Sequence, residues 1–260
     1  MKRILALLLA LTACTAPPPA PAQKVIIDTD MGKMNDDALA TLLLARSGVE
    51  ILGLTVVGGN TWPEEGVRHA RALLDGIGRA DIPVIPGDTA TPDRRQGYSG
   101  ALDHPRPEPY SAPKAAEFIA QQVTAHPGQV TILAIGPMTN IAKAVQIHPE
   151  IVPLVAQVVH LGGSTGDDAE FNWWFDPPAA QLALNAGFSR LTVIPADVVQ
   201  ENWDLAAAAT LLRPEIIKGS TATGLSVGPF GELDLHPGPA TLVLDLDLDL
   251  LSKTVQAVSY

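Results

Sequence analysis

Asp28, Asp30, Asp36 and Asp37 sit in the stretch Lys24–Asp37. They follow directly on an apolar run (Val25–Ile27) and precede an apolar helical pattern (Ala38, Leu39, Leu42, Leu43, Leu44). Any fold of this chain must place four like charges at one strand-to-helix corner. Carboxylates so close repel one another, and without a cation some must keep their protons. Asp28 and Asp30 are two residues apart, so on an extended segment they point the same way. Asp36 and Asp37 open a helix, where the backbone N–H groups and the dipole favour negative charge. An N-cap role for Asn35 or Asp36 would account for one of these residues, but not for the group. A hard divalent metal, which takes oxygen ligands, is the simplest reason to assemble them.

Beyond this corner, apolar runs and amphipathic stretches alternate. Val25–Asp28, Glu50–Val57, Ile82–Pro86, Val130–Ile135, Val155–Leu161 and Leu191–Pro195 read as strands. Asp36–Ala45, Glu64–Ile77, Ala115–Ala125, Met138–Gln146 and Pro178–Ala186 read as helices, and Thr91–Lys114 as a long loop. This alternation predicts an α/β protein with a mostly parallel central sheet, helices on both faces and a Rossmann-like open edge. In such sheets ligands bind beyond the carboxyl ends of strands, and Asp28, Asp30, Asn60 and Ile135 all fall at or just past such ends. At 260 residues and 47% hydrophobic content, one large core accommodates residues 24–260 as a single domain. The net charge of −11 excludes nucleic acid as a partner class, because phosphate binding needs clustered Lys and Arg.

The first residues read as a targeting signal. Lys2 and Arg3 form a positive n-region, and Ile4–Leu11 is too short to span a bilayer. Leu11-Thr-Ala-Cys14 resembles a bacterial lipobox. In that reading residues 1–13 are removed and Cys14 is lipidated. An ordinary secretory signal with an incidental cysteine is the alternative. Cys14 is the sole cysteine, which excludes an intrachain disulfide. The Pro-rich segment within residues 14–23 reads as a semi-rigid tether. The expected location is the bacterial cell envelope, lipid-anchored, on its periplasmic or outer face.

Several motifs together resemble the inosine-uridine preferring nucleoside hydrolases. They are Asp28-Thr-Asp30-Met-Gly32 with Asp36-Asp37-Ala-Leu-Ala40, Leu54-Thr-Val-Val-Gly-Gly-Asn60, and Ala134-Ile135-Gly-Pro-Met-Thr-Asn140. Leu161-Gly-Gly163, Ala169-Glu170-Phe-Asn172 with Asp176-Pro177, and Trp203-Asp204 continue the series, so the resemblance spans Lys24 to Tyr260. It implies a calcium-dependent ribonucleoside hydrolase that splits the N-glycosidic bond to free base and ribose. The implied calcium ligands are Asp30, Asp37, the Ile135 carbonyl and Asp204. Asp30 is also the implied general base. Asp36, Asn60, Glu170 and Asn172 would contact the sugar, and Asp28 would orient the ligands from behind. The substrate would be a small nucleoside, and relatives of this kind form homodimers or homotetramers. The chemistry is coherent: a carboxylate-rich pocket stabilises the positive charge that builds on the ribose ring as the bond breaks.

Three departures from the family pattern stand out. The turn between the aspartate pairs is long and carries Met34, where a longer variant often has aspartate. Trp203 precedes Asp204 where many members have histidine. Only Val198–Trp203 separates Asp197 from the late helix, where the family has a substantial helical segment on the base side of the pocket. A catalytically impaired ribose-binding lipoprotein and a hydrolase of another ribosylated compound therefore remain alternatives.

Other residues carry weaker signals. Asp197 follows a strand and fits either the site or a surface cap. His104 lies in the long loop. His69 and His160 read as structural, Trp173 and Trp174 as packing more than base stacking. Asp245, Asp247 and Asp249 alternate with leucines as on a solvated strand face.

Overall fold

The computed structural model describes residues 23–33, 35–90, 106–108, 112–166, 169–199 and 201–258. The signal, Cys14, most of the tether, Met34 and His104 lie outside the described residues. The remaining chain forms one eight-stranded sheet. Its strands are β1 (Lys24–Thr29), β2 (Glu50–Val56), β3 (Val84–Pro86), β4 (Val130–Ala134), β5 (Gln157–Leu161), β6 (Leu191–Ile194), β7 (Ile217–Val227) and β8 (Leu233–Leu246). They lie side by side in the order β3-β2-β1-β4-β5-β6-β8-β7. All neighbouring pairs are parallel except β7 and β8. The mostly parallel α/β sheet expected from the alternation is therefore present.

The helices are α1 (Asp36–Ser47), α2 (Pro63–Gly76), α3 (Ala115–Ala125), α4 (Thr139–Ile147), α5 (Phe171–Phe175), α6 (Pro177–Leu184), α7 (Trp203–Leu212) and α8 (Leu248–Val258). Two begin at proline, where the missing N–H has no partner to lose. Successive strand residues point to opposite faces, and the core divides accordingly. Val25, Ile27 and Val159 pack with α1, α2 and α7 on one face. Ile26 and Val158 pack with α3, α4 and α6 on the other. Both faces of β1 and β4 are thus apolar, which makes these strands continuous hydrophobic runs. Among the described residues no helix is long and apolar enough to cross a membrane.

Where β7 and β8 cross, the structure departs from the sequence reading. β7 was not expected, because Gly219 and Gly224 interrupt it. The early half of β8 contains Pro237-Gly-Pro239, which reads as a break. The pair accommodates these residues with register shifts. Ala240 lies opposite Thr223 and His236 opposite Gly224, so residues 237–239 stand out of the ladder. The carboxylate alternation at the end of β8 is also corrected. The strand stops at Leu246, and Asp247 caps α8 by accepting a hydrogen bond from Leu250 N at 3.0 Å. Asp249 then lies in the first turn of that helix, where its charge suits the dipole.

His160 and Trp173 are structural, as expected. The His160 ring lies between Ala134 O, 3.0 Å from Nδ1, and the Trp173 indole, whose Nε1–H donates to Nε2 at 2.9 Å. A carbonyl can only accept, so Nδ1 carries the proton and the imidazole is neutral. Burial pushes its pKa down to about 4, in keeping with this tautomer. Trp173→Phe removes the one donor to Nε2 and some ring volume. It should lower unfolding stability by about 2–4 kcal/mol in urea titrations. A loss below about 0.5 kcal/mol would show that the pair carries no structural weight.

Candidate active site

The strand ends assemble the site. β1 delivers Asp28 within its last residues and Asp30 one residue beyond; β4 delivers Ile135; β2 leads through a turn to Asn60. α1 supplies Asp36 and Asp37, α5 supplies Asn172 with Glu170 just before it, and α7 supplies Asp204. Asp30, Asp36, Asn60, Ile135, Glu170, Asn172 and Asp204 line one cavity of about 510 Å³. Asp37 lies behind them, with side-chain oxygens of Asp36, Asp37 and Asp204 all within 4.8 Å of one another. The structure therefore gathers residues 28 to 204 as the sequence motifs imply. The tightest carboxylate trio contains Asp36, which the resemblance gives to the sugar, and not Asp30.

Asp30 is held back from the trio by its surroundings. Its Oδ2 accepts Asn60 N–H at 2.7 Å. Two glycines close on it: a Cβ on Gly59 would meet Asp30 Oδ2 at 2.1 Å, and one on Gly136 would meet Asp30 N at 2.8 Å. No side chain fits at either position, so the glycines set how closely the backbone wraps this carboxylate. Asp37 is oriented by Thr29, whose hydroxyl donates to Oδ1, and by Asn35 Nδ2, which donates to Oδ2 at 2.6 Å. Asn35 occupies the N-cap position of α1 but makes no side-chain cap; its amide serves the carboxylate instead. Asn60 Nδ2 also reaches Asp37 Oδ2 at 3.4 Å.

Glu170 and Asn172 both border the cavity. Glu170 caps α5, accepting Asn172 N at 2.8 Å, Trp173 N at 3.2 Å and Gly163 N at 2.9 Å. Asn172 Nδ2 donates to Leu161 O at 3.1 Å and approaches Ile135 O at 3.5 Å. Both side chains are thus pinned while still bordering the cavity. Asp28 stands behind the ligands. Its Oδ1 accepts Thr55 Oγ1 at 2.5 Å and Asn140 Nδ2 at 2.8 Å, while Oδ2 is buried without a partner. Asn140 in turn accepts Asp88 N at 2.8 Å.

Sequence reasoning missed Asn140 and Thr55 as supports of Asp28. The available signal was polar side chains inside otherwise apolar strand and helix-start runs. It also missed Phe171, which lines the cavity. Asp197 lines the mouth and ties down the 163–166 loop by accepting Thr165 N at 2.9 Å. His69 lies on α2 and does not line this cavity.

The electrostatics explain what the cluster lacks. Burial pushes the Asp28 and Asp37 carboxyls up to about 7, with the Asp36 charge adding to the effect on Asp37. Asp30 is raised well above the carboxylate range by burial and then by Asp37. Asp204 is raised likewise by burial and the charges of Asp37, Asp36, Asp30 and Glu170. Burial raises Glu170 to about 7 against three backbone N–H groups. Side-chain oxygens of Asp37 and Asp204 lie within 4.8 Å of each other, so full ionisation of both is costly until a proton or a cation relieves it. Buried carboxyl groups crowded to 4.8 Å or less between side-chain oxygens, with burial and like charge raising the Asp37 and Asp204 pKa values, fit a hard divalent cation.

An open parallel sheet with a carboxylate-lined crevice beyond its strand ends defines the class: an α/β protein with a site for a hard cation. Residues 25–237 match the profile of the inosine-uridine preferring nucleoside hydrolases, and the chain belongs to that family. It is 36% identical over 196 residues to an uncharacterised protein of Schizosaccharomyces pombe, covering 68% of this chain and 62% of that protein. The chain thus spans less than two thirds of that relative's length. It is 30% identical to a pyrimidine-specific ribonucleoside hydrolase of Klebsiella pneumoniae, covering 89% of this chain and 98% of that protein. Among solved structures, a purine-preferring ribonucleoside hydrolase from Gardnerella vaginalis superposes with a TM-score of 0.76 at 22% identity, covering 91% of this chain and 98% of that one.

A pH dependence follows. Asp28, Asp37 and Glu170 titrate near 7 when folded and near 4 when unfolded, so the native state binds more protons between those values. Their contribution to metal-free stability therefore falls as pH rises from about 4 to about 7. Asp28→Asn removes one such group. Relative to wild type it should gain on the order of 2–4 kcal/mol between pH 5 and pH 8 in urea titrations. Parallel stability curves for the two proteins would contradict the burial argument.

Proposed function

We propose that this chain hydrolyses the N-glycosidic bond of ribonucleosides, giving free base and ribose, with calcium as its metal. The observation that carries the reading is the cavity itself. It brings the Asp36–Asp37–Asp204 trio together with Asn60, Ile135, Glu170 and Asn172 in a chain of this hydrolase family. The 30% identical Klebsiella relative is a ribonucleoside hydrolase over nearly its full length.

Asp30, Asp37, Asp204 and the Ile135 carbonyl would hold calcium, which would supply Lewis-acid activation of a water at this site. The chain's own groups do the rest. Asp30 takes the water's proton as general base. Asp36, Asn60, Asn172 and Glu170 fix the sugar by hydrogen bonds, which fixes the attack geometry. The buried carboxylates face the positive charge that develops on the ribose ring. Asp28, held by Thr55 and Asn140, keeps the β1 end in place.

The envelope reading rests on the Lys2-Arg3 n-region, the short apolar run, Leu11–Cys14 and the Pro-rich segment after it. Residues 1–13 are its signal, Cys14 its lipidated residue and the membrane its partner. The shortened segment is read from the sequence, where only Val198–Trp203 lies between Asp197 and Asp204.

With calcium, the purified chain should release reducing sugar from inosine or uridine, and a chelator should abolish it. Asp30→Ala should lower kcat by at least about a hundredfold with the fold intact. Ribose-dependent thermal stabilisation without turnover of any riboside would favour a binding protein instead. For the anchor, Cys14→Ser should move the protein from membrane to soluble fractions; unchanged membrane association would reject lipidation.

A further inference from the structure

Asn60 reaches the cavity from residues 57–62, the turn between β2 and α2. The near side of that turn is tied to β1. Asn60 N–H donates to Asp30, and Thr61 Oγ1 donates to Met31 O at 3.1 Å. The far end is Trp62, in the N-cap position of α2, whose side chain makes no cap. Its carbonyl accepts Glu65 N and Gly66 N at 2.9 Å each, so Trp62 and the start of α2 move together. The Trp62 ring is buried with Ala90 and Phe175, and Phe171 and Trp174 pack alongside. Phe171 borders the cavity, its ring 5.5 Å from that of Phe175, and Asn172 follows it in the chain. One aromatic cluster therefore backs two arms of the cavity, the Asn60 turn and the α5 start.

Arg106 grips that cluster from the other side. Its guanidinium carbon lies over the Trp62 ring, 5.7 Å from the centroid. The same fork donates to both oxygens of Glu64, Nη2 to Oε1 at 2.7 Å and Nε to Oε2 at 3.1 Å. Glu64 lies in the first turn of α2, where the dipole favours its charge. The Arg106 and Glu64 side chains are 23% and 6% exposed, so solvent screens this pair far less than a surface ion pair. Apolar side chains often replace a buried ion pair at no loss of stability. What the pair adds is direction: a flat fork fixed at two oxygens presents one face to Trp62.

We propose that Arg106 is a positioning residue for substrate binding. Through Glu64 it fixes the first turn of α2, and through Trp62 it fixes the aromatic cluster. It thereby sets the span between Asn60 and Asn172 across the cavity. This rests on the hydrolase reading above and adds to it a residue that does not itself border the cavity. The sugar has to meet both arms at once, so a change in their span weakens its binding in ground state and transition state alike.

The test assays the full-length chain with calcium on inosine, uridine, adenosine and cytidine, and takes KM and kcat on the best of the four. Arg106→Lys keeps a positive charge beside Glu64 but loses the fork and the flat face. The inference expects KM to rise about tenfold with kcat within threefold of wild type. Glu64→Gln should raise KM similarly, and combining the two should add less than twofold, because they break one unit. The pair Arg106→Met with Glu64→Gln leaves neither charge buried alone and should show the same rise, which keeps the test open if Arg106→Lys does not fold. KM within twofold of wild type in a folded variant would overturn the inference and leave the hydrolase reading standing. A loss carried by kcat alone, or full additivity of Arg106→Lys and Glu64→Gln, would overturn it as well. A wild-type chain that turns over none of the four overturns the hydrolase reading and this inference with it.

Discussion

The structure turns on the burial of carboxylates that repel one another. Asp28, Asp30, Asp37 and Asp204 are all removed from solvent, and an isolated buried charge is far costlier than any single contact made here. The chain meets part of this cost with directed donors: Thr29 and Asn35 on Asp37, Asn60 N on Asp30, Thr55 and Asn140 on Asp28. The rest is left as like-charge repulsion, with side-chain oxygens of Asp36, Asp37 and Asp204 within 4.8 Å of one another, and it pushes the Asp204 carboxyl well above the carboxylate range. A cation bound there would offset this repulsion on carboxylates that leave strand ends and helix starts already fixed by the core.

That core explains why the corner is rigid. β1 lies between β2 and β4 in the middle of the sheet, with apolar packing on both faces. Asp30 therefore leaves the best-supported strand of the molecule, and Gly59 and Gly136 bring the flanking strand ends against it. The mouth is built differently. The 163–166 loop hangs on Asp197, and the α7 start hangs on left-handed Asn202 and the Trp203 indole hydrogen bond to Ala196 O. One side of the cavity is thus set by the sheet and the other by a short turn.

Much of this was legible from sequence because it follows from periodicity. Continuous apolar runs ending in Asp28 and Ile135 pointed to parallel strands and the aspartate cluster to a cation, while Asn60, Ile135, Glu170, Asn172 and Asp204 entered as what the family resemblance implies. What was not legible is long-range. Pro237 and Pro239 lack the N–H that a ladder needs, yet β8 carries both, with residues 237–239 outside the pairing with β7. Asp247 looked like one member of an alternating face and is a helix cap, since period alone does not tell where a strand stops. Asn140 lies 112 residues from the carboxylate it supports, and only the fold brings them together. That Asp36 groups with Asp37 and Asp204 within 4.8 Å is likewise set by the fold, which spacing does not encode.

The central claim is that these carboxylates keep protons until a cation displaces them. Calorimetric titration of calcium into the metal-free chain near pH 6.5, repeated in buffers of different ionisation enthalpy, measures this directly. The account predicts one calcium per chain with about one or more protons released on binding. Calcium binding with no proton release, or no calcium binding at all, would contradict it.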